Sequence, residues 1–178
     1  MKTLSEKHAL LKLLDLKNDF RDMIRQNYEH KAKNCLTCET KGVCCLDEHF
    51  VNVHITKLEA VLIGEELREL SIEKQWEINK RIETTIKKYD LKPDGDTFAQ
   101  TFACPLFEKG VGCLIHSVKP APCIQHACYE RPEDLPPDAL QTEMESQIEK
   151  LNEQTYKQIP QWLPLPVWLS QINPFKKN

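Results

Sequence analysis

Eight cysteines in two short stretches constrain this chain more than any other feature of its 178 residues. Cys35, Cys38, Cys44 and Cys45 fall in one stretch, and Cys104, Cys113, Cys123 and Cys128 in the other. Such thiols close disulfides in an oxidising compartment, and ligate metal or do redox chemistry in a reducing one. Met1 to His8 is polar and charged, without the apolar core and small-residue cleavage site of a secretory signal. The expectation is a cytoplasmic chain whose reduced thiols gather around metal.

Composition narrows the alternatives. Forty per cent apolar residues with three tryptophans can build a core, so metal need not supply all the stability. A net charge of -3 and a pI near 6.1 offer no basic face for nucleic acid. No long apolar run suggests a membrane span, so neither nucleic acid nor membrane is expected as a partner. Phosphate-loop and dinucleotide-loop glycine patterns are missing, which weakens nucleotide-dependent readings.

Periodicity predicts a mainly α single domain over 1–178, with four or so helices around an irregular cysteine-rich centre and little β structure. Leu10, Leu13, Leu14, Phe20, Ile24 and Tyr28 recur at helical steps, which predicts a helix over 4–33 opened by Thr3 and Glu6 as a capping box. Residues 35–128 form the cysteine-bearing core. Within it 35–50 reads as an irregular ligand loop, and Val51, Val53 and Ile55 as a short strand. Thr56 with Glu59 caps a helix to about Leu70. Ser71 caps another, with Ile72, Trp76, Ile82, Ile86 and Tyr89 along one face. Pro93 to Gly95 marks a turn, and Gly110 with Gly112 a tight one. Over 138–178, Asp138 opens a helix carrying Leu140, Met144, Ile148, Leu151 and Ile159. A Pro-rich apolar tail follows at 160–174. That tail reads first as a strap over its own core, and second as a docking strip for a protein partner.

The spacing of the cysteines points to ligation without naming the metal. Cys35-Leu36-Thr37-Cys38 lets two sulfurs face one ion, and no preceding strand favours a thioredoxin-like reading. Gly42 permits a bend that returns Cys44 and Cys45, although adjacent cysteines point different ways along an extended chain. The second stretch is wider than a zinc ribbon and lacks a ferredoxin run. Soft thiolates select zinc, copper(I) or iron–sulfur over magnesium or calcium. Four thiolates on zinc(II) leave excess negative charge, for which Lys109 and Lys119 are candidate counter-charges. His116 and His126 are candidate metal ligands or outer partners, with His49 and His54 also nearby. His8 and His30 read as solvated. A Cys–His nucleophile fits poorly, since metal-bound thiolates are not free to attack. Eight thiolates can make two four-sulfur sites, or one cluster with spare thiols.

The ordered pattern goes further. Cys-x-x-Cys, then Cys44-Cys45, Cys104-Pro105-Leu106, Gly112-Cys113-Leu114-Ile115, Pro120-Ala121-Pro122-Cys123 and Cys128 resembles the YkgJ-like cysteine-cluster family over residues 35 to 128. The resemblance implies a zinc- or iron-chelating domain. A related arrangement occurs in flagellin lysine methylases, where an iron–sulfur cluster is implied. His116, Lys119 and Ile124 stand where that pattern usually has Tyr, Arg and often Arg. These departures leave the thiols intact but weaken any shared substrate reading, since Lys lacks the bidentate fork of Arg. Two functions follow as expectations: a metal-binding protein holding zinc or an iron–sulfur cluster, or an iron–sulfur-dependent enzyme or accessory in protein or peptide modification. One centre tying 35–45 to 104–128 is expected.

Overall fold

Ser5 opens the first helix, its hydroxyl accepting the His8 amide at 3.4 Å, and α1 runs Glu6–Asn27. The computed structural model describes residues 3–33, 42–46, 51–96 and 99–172. Helix α1 starts and stops inside the expected 4–33 span. Its cap is Ser5 rather than Thr3, and a 3₁₀ turn over Glu29–Lys31 follows it. The reason for the early stop lies beyond the helix. Ala32 bridges Tyr129, and the Lys33 amide donates to the Cys128 carbonyl at 2.8 Å, which draws the chain into extended pairing.

Backbone contacts within the chain, expected as one domain, gather into two compact units. Unit 1 takes residues 1–41 and 119–159; unit 2 takes 42–118 and 160–178. The architecture is mainly α, as expected, with seven α-helices and two two-stranded sheets among the described residues. None of those helices is long and apolar enough to cross a membrane.

Unit 1 packs α1 against α5 (Ala121–Gln125) and α6 (Asp138–Tyr156). Ala9, Leu13, Phe20 and Ile24 of α1 are buried, as are Met144 and Ile148 of α6. Tyr156 donates to Glu6 at 2.6 Å, and burial beside that carboxylate pushes its phenol pKa up. Lys17 is the charged residue of α1 that packs inside. It is fully buried, with its ammonium donating to the Lys119 carbonyl at 2.9 Å. Helix α6 has no side-chain cap at Pro137 and ends where Lys157 turns left-handed. Ile159 therefore lies past the helix and is exposed, not part of its apolar face.

Unit 2 is built on α3 (Lys57–Arg68), α4 (Ile72–Lys88) and α7 (Leu165–Ile172). The Thr56–Glu59 capping box is formed in both directions, at 3.2 and 3.4 Å, and Ser71 caps α4. The expected apolar face of α4 is rotated. Ile78, Ile82 and Thr85 are buried, whereas Ile72 and Trp76 are exposed, Trp76 by 74%. Trp76 lies two residues, about 200° of helix turn, from Ile78, so both cannot face the core.

The expected strand at 51–55 shortens to β1, His54–Ile55, paired antiparallel with β4, Leu163–Pro164. The tail continues from β4 into α7, packed on α3 and α4. Leu163, Leu165, Val167, Trp168 and Leu169 are all buried there, and the Trp168 indole donates to the Gln161 carbonyl at 3.1 Å. The strap reading therefore describes the tail over its described residues.

Candidate metal centre

The division into units crosses both cysteine stretches. Cys44, Cys45, Cys104 and Cys113 belong to unit 2, whereas Cys123 and Cys128 belong to unit 1. Cys35, Cys38 and His49 lie outside the described residues. The six described cysteines are half-buried and present as thiols, not disulfides.

Unit 2 brings its cysteine-bearing backbones together from two directions. Gly42 turns with φ +81° into α2 (Val43–Leu46), a single helical turn where an irregular loop was expected. A Cβ on Gly42 would overlap the Phe107 ring, so glycine is required by space as well as by φ. The Cys104 amide then donates to the Cys45 carbonyl at 2.7 Å. Past Cys104, β2 (Phe107–Glu108) and β3 (Gly112–Cys113) form a hairpin in which Phe107 stands opposite Cys113. Gly110 and Gly112 at its turn both take positive φ, as the sequence suggested. One short contact set thus joins the Cys44–Cys45 turn, Cys104 and the Cys113 strand.

The electrostatics around Cys104 are those of a recessed thiol supplied with donors. Part of the residue's surface stays in solvent, yet burial dominates and pushes the thiol up to about 11. The backbone amides of Leu106 and Phe107, bonded to the sulfur, pull the other way; so does the Arg81 charge, while the neighbouring Cys113 adds to the rise. Arg81 is fixed there by donating to the Phe107 carbonyl, beside Glu77 at 3.7 Å and Glu108 at 4.0 Å. Lys74 pairs with Glu108 as well and with Glu77 at 2.8 Å. Sequence reasoning named Lys109 and Lys119 as counter-charges and missed Arg81. Lys109 is exposed at the hairpin turn, and Lys119 belongs to the other unit. Arg81 is 23 residues from Cys104 in sequence, and only the packing of α4 on the hairpin relates them.

Only the donor type here, sulfur, is one that a soft ion takes, and amide hydrogen bonds stabilise the charged form of the sulfur they reach. The side chains do not yet converge: among the described residues, no three His, Cys, Asp or Glu side chains are disposed together to hold a metal. Cys44 and Cys45 are adjacent on one helical turn, about 100° apart, so drawing both toward Cys104 requires rotation or unwinding.

In unit 1, α5 carries Cys123 in its middle, and Cys128 follows in an extended segment tied to Lys33. A cleft of about 610 Å³ opens beside Cys128, lined also by His126, Tyr129, Gln125, Pro136 and Asp138. The Gln125 Oε1 and the Tyr129 hydroxyl are buried there without a hydrogen-bond partner among the described residues. His126 is exposed at the end of α5, and His116 is exposed in a 3₁₀ turn over His116–Val118. Among the described residues, His54 is the buried histidine. Its Nε2 finds no hydrogen-bond partner among the described residues, and burial lowers its pKa.

No family model, curated protein or solved structure matches the chain.

Proposed function

We propose that this is a metal-binding protein whose clustered cysteines hold zinc or an iron–sulfur cluster in a reducing compartment, the cytoplasm. The observation that carries the reading is the meeting of the Cys44–Cys45 turn, Cys104 and the Cys113 strand in one unit. The amides on the Cys104 sulfur and the neighbouring Arg81 charge stabilise a thiolate there, against a burial that pushes the thiol up to about 11 and that a bound cation would have to overcome. The ordered cysteine pattern, which resembles the YkgJ-like family, supports the same chemistry. When bound, the ion or cluster would cross-link segments far apart in sequence and so stabilise the fold.

The test is protection of thiols. Reduced protein, stripped with a chelator and then reloaded with zinc, or with iron and sulfide, is treated with an alkylating reagent under anaerobic conditions. The reading predicts slow alkylation of the clustered cysteines in the loaded protein and fast alkylation in the stripped one. Equal rates in both would defeat it.

A second reading, an iron–sulfur-dependent enzyme or accessory acting on protein or peptide, is favoured by the cleft beside Cys128. A closed structural site needs no adjacent cavity, whereas this cleft lies beside Cys128 and is lined also by His126, Tyr129 and Asp138.

A further inference from the structure

Trp76 stands 74% exposed and Ile72 64% exposed on α4, where the core of unit 2 takes Ile78 and Ile82 instead. Four residues apart, they lie about 40° from one another around the helix and form one apolar face. Its place is fixed. Ser71 caps the helix, and the Gln75 side-chain amide donates to the Arg68 and Leu70 carbonyls at 2.9 and 2.7 Å. An apolar face held this firmly in water suits docking, because little freedom is lost when it is covered.

Charge around Trp76 indicates what covers it. Glu73 and Lys80 are both exposed, one turn before it and one turn after. They lie on the same flank of the face, about 60° and about 40° around the helix from Trp76. Glu77 points about 100° away and pairs with Lys74 at 2.8 Å. Glu83, a further turn along the face, accepts from the Asn79 amide at 2.8 Å. The flank is therefore acidic before Trp76 and basic after it, a pattern complementary to its own reverse.

We propose that this face of α4 is a self-association surface, on which a second copy of the chain docks antiparallel across a two-fold axis at Trp76. The two-fold brings the Trp76 side chains together and sets each Glu73 against the partner's Lys80. A parallel two-fold would carry these charges to opposite flanks and make no such pair. The contact rests on two apolar side chains from each copy and on exposed ion pairs, so the dimer is weak and forms as concentration rises. The surface uses no cysteine and stands apart from the metal-binding reading.

The test is sedimentation velocity of the full, reduced chain from about 1 μM to about 1 mM, the range of weak association. Reductant excludes copies linked through cysteine. Wild type should pass from monomer to dimer over this range, and Trp76→Ser should stay monomeric with unchanged circular dichroism. Glu73→Lys and Lys80→Glu should each weaken the dimer about tenfold, since the two-fold loses both pairs and gains repulsion. The double reversal, Glu73→Lys with Lys80→Glu, remakes the pairs in the opposite sense and should recover association to within about threefold of wild type. If Glu73→Lys disturbs the helix start, Trp76→Ser and Lys80→Glu still read the surface. Wild type that is monomeric at every concentration would overturn the proposal. So would a dimer untouched by Trp76→Ser, or a folded double reversal that associates no more tightly than the single ones.

Discussion

Gly42 and Phe107 meet so closely that each fixes the other, and this contact sets the approach of Cys44 and Cys45 to the hairpin. Gly42→Ala would place a Cβ at φ +81° and against the ring. The left-handed penalty and overpacking together predict a loss of about 2–4 kcal/mol, measured by denaturant unfolding, with zinc binding weakened in parallel. Arg81 acts on charge instead. Arg81→Gln should leave the fold standing but weaken zinc binding about tenfold, read by competition with a chromophoric chelator, as for other partners just outside a metal's ligands. An unchanged affinity would remove Arg81 from the centre. His54 gives a pH dependence whose sign follows from burial. Its pKa is lowered from 6.5, so the unfolded chain takes up a proton before the native one does. Stability is full above that value and falls as pH drops below it toward the lowered native pKa. His54→Phe should flatten that fall in acid unfolding curves; an unaltered slope would mean that another group is responsible.

At the scale of elements, capping and burial separate residues that look equivalent in sequence. Thr56 is fully buried and closes the capping box of α3, so Thr56→Ala should cost about 1–2 kcal/mol in thermal or denaturant unfolding. Ile82 and Trp76 both lie on α4, but only Ile82 is in the core. Ile82→Ala is expected to cost about 2–5 kcal/mol and Trp76→Ala less than about 0.5, a contrast that the same unfolding measurement tests directly. The helix caps at Thr56 and Ser71 were legible because they rest on neighbours within one turn. The face of α4 was misplaced because Trp76 and Ile72 fit a helical stripe as well as Ile78 and Ile82 do. Only the packing of α7 on α4 decides which stripe is inside. The end of α1 was placed too late for a similar reason, since its stop depends on Cys128, about a hundred residues onward. Composition alone marked the tail as a strap, because Leu163 to Leu169 is too apolar to be left in water.

Across the whole molecule, the mainly α architecture followed from helical periodicity, while the approach of Cys45 to Cys104 rests on contacts that no local pattern encodes. One centre tying 35–45 to 104–128 was expected, and two of the eight cysteines, Cys35 and Cys38, lie outside the described residues. The pairing of Cys45 with Cys104 depends on a hydrogen bond spanning 59 residues of sequence, which no local motif encodes. Arg81 was invisible for the same reason. If metal bridges segments this distant, its removal should lower the unfolding midpoint of the full chain, because ligation restrains long loops. The central claim is the presence of the metal itself, and one measurement reaches it most directly: metal and acid-labile sulfide analysis, with a visible spectrum, on protein purified without oxygen. The account predicts either a colourless protein with stoichiometric zinc or a brown one with iron and sulfide. A folded protein free of zinc, iron and sulfide, with its cysteines paired as disulfides, would contradict it.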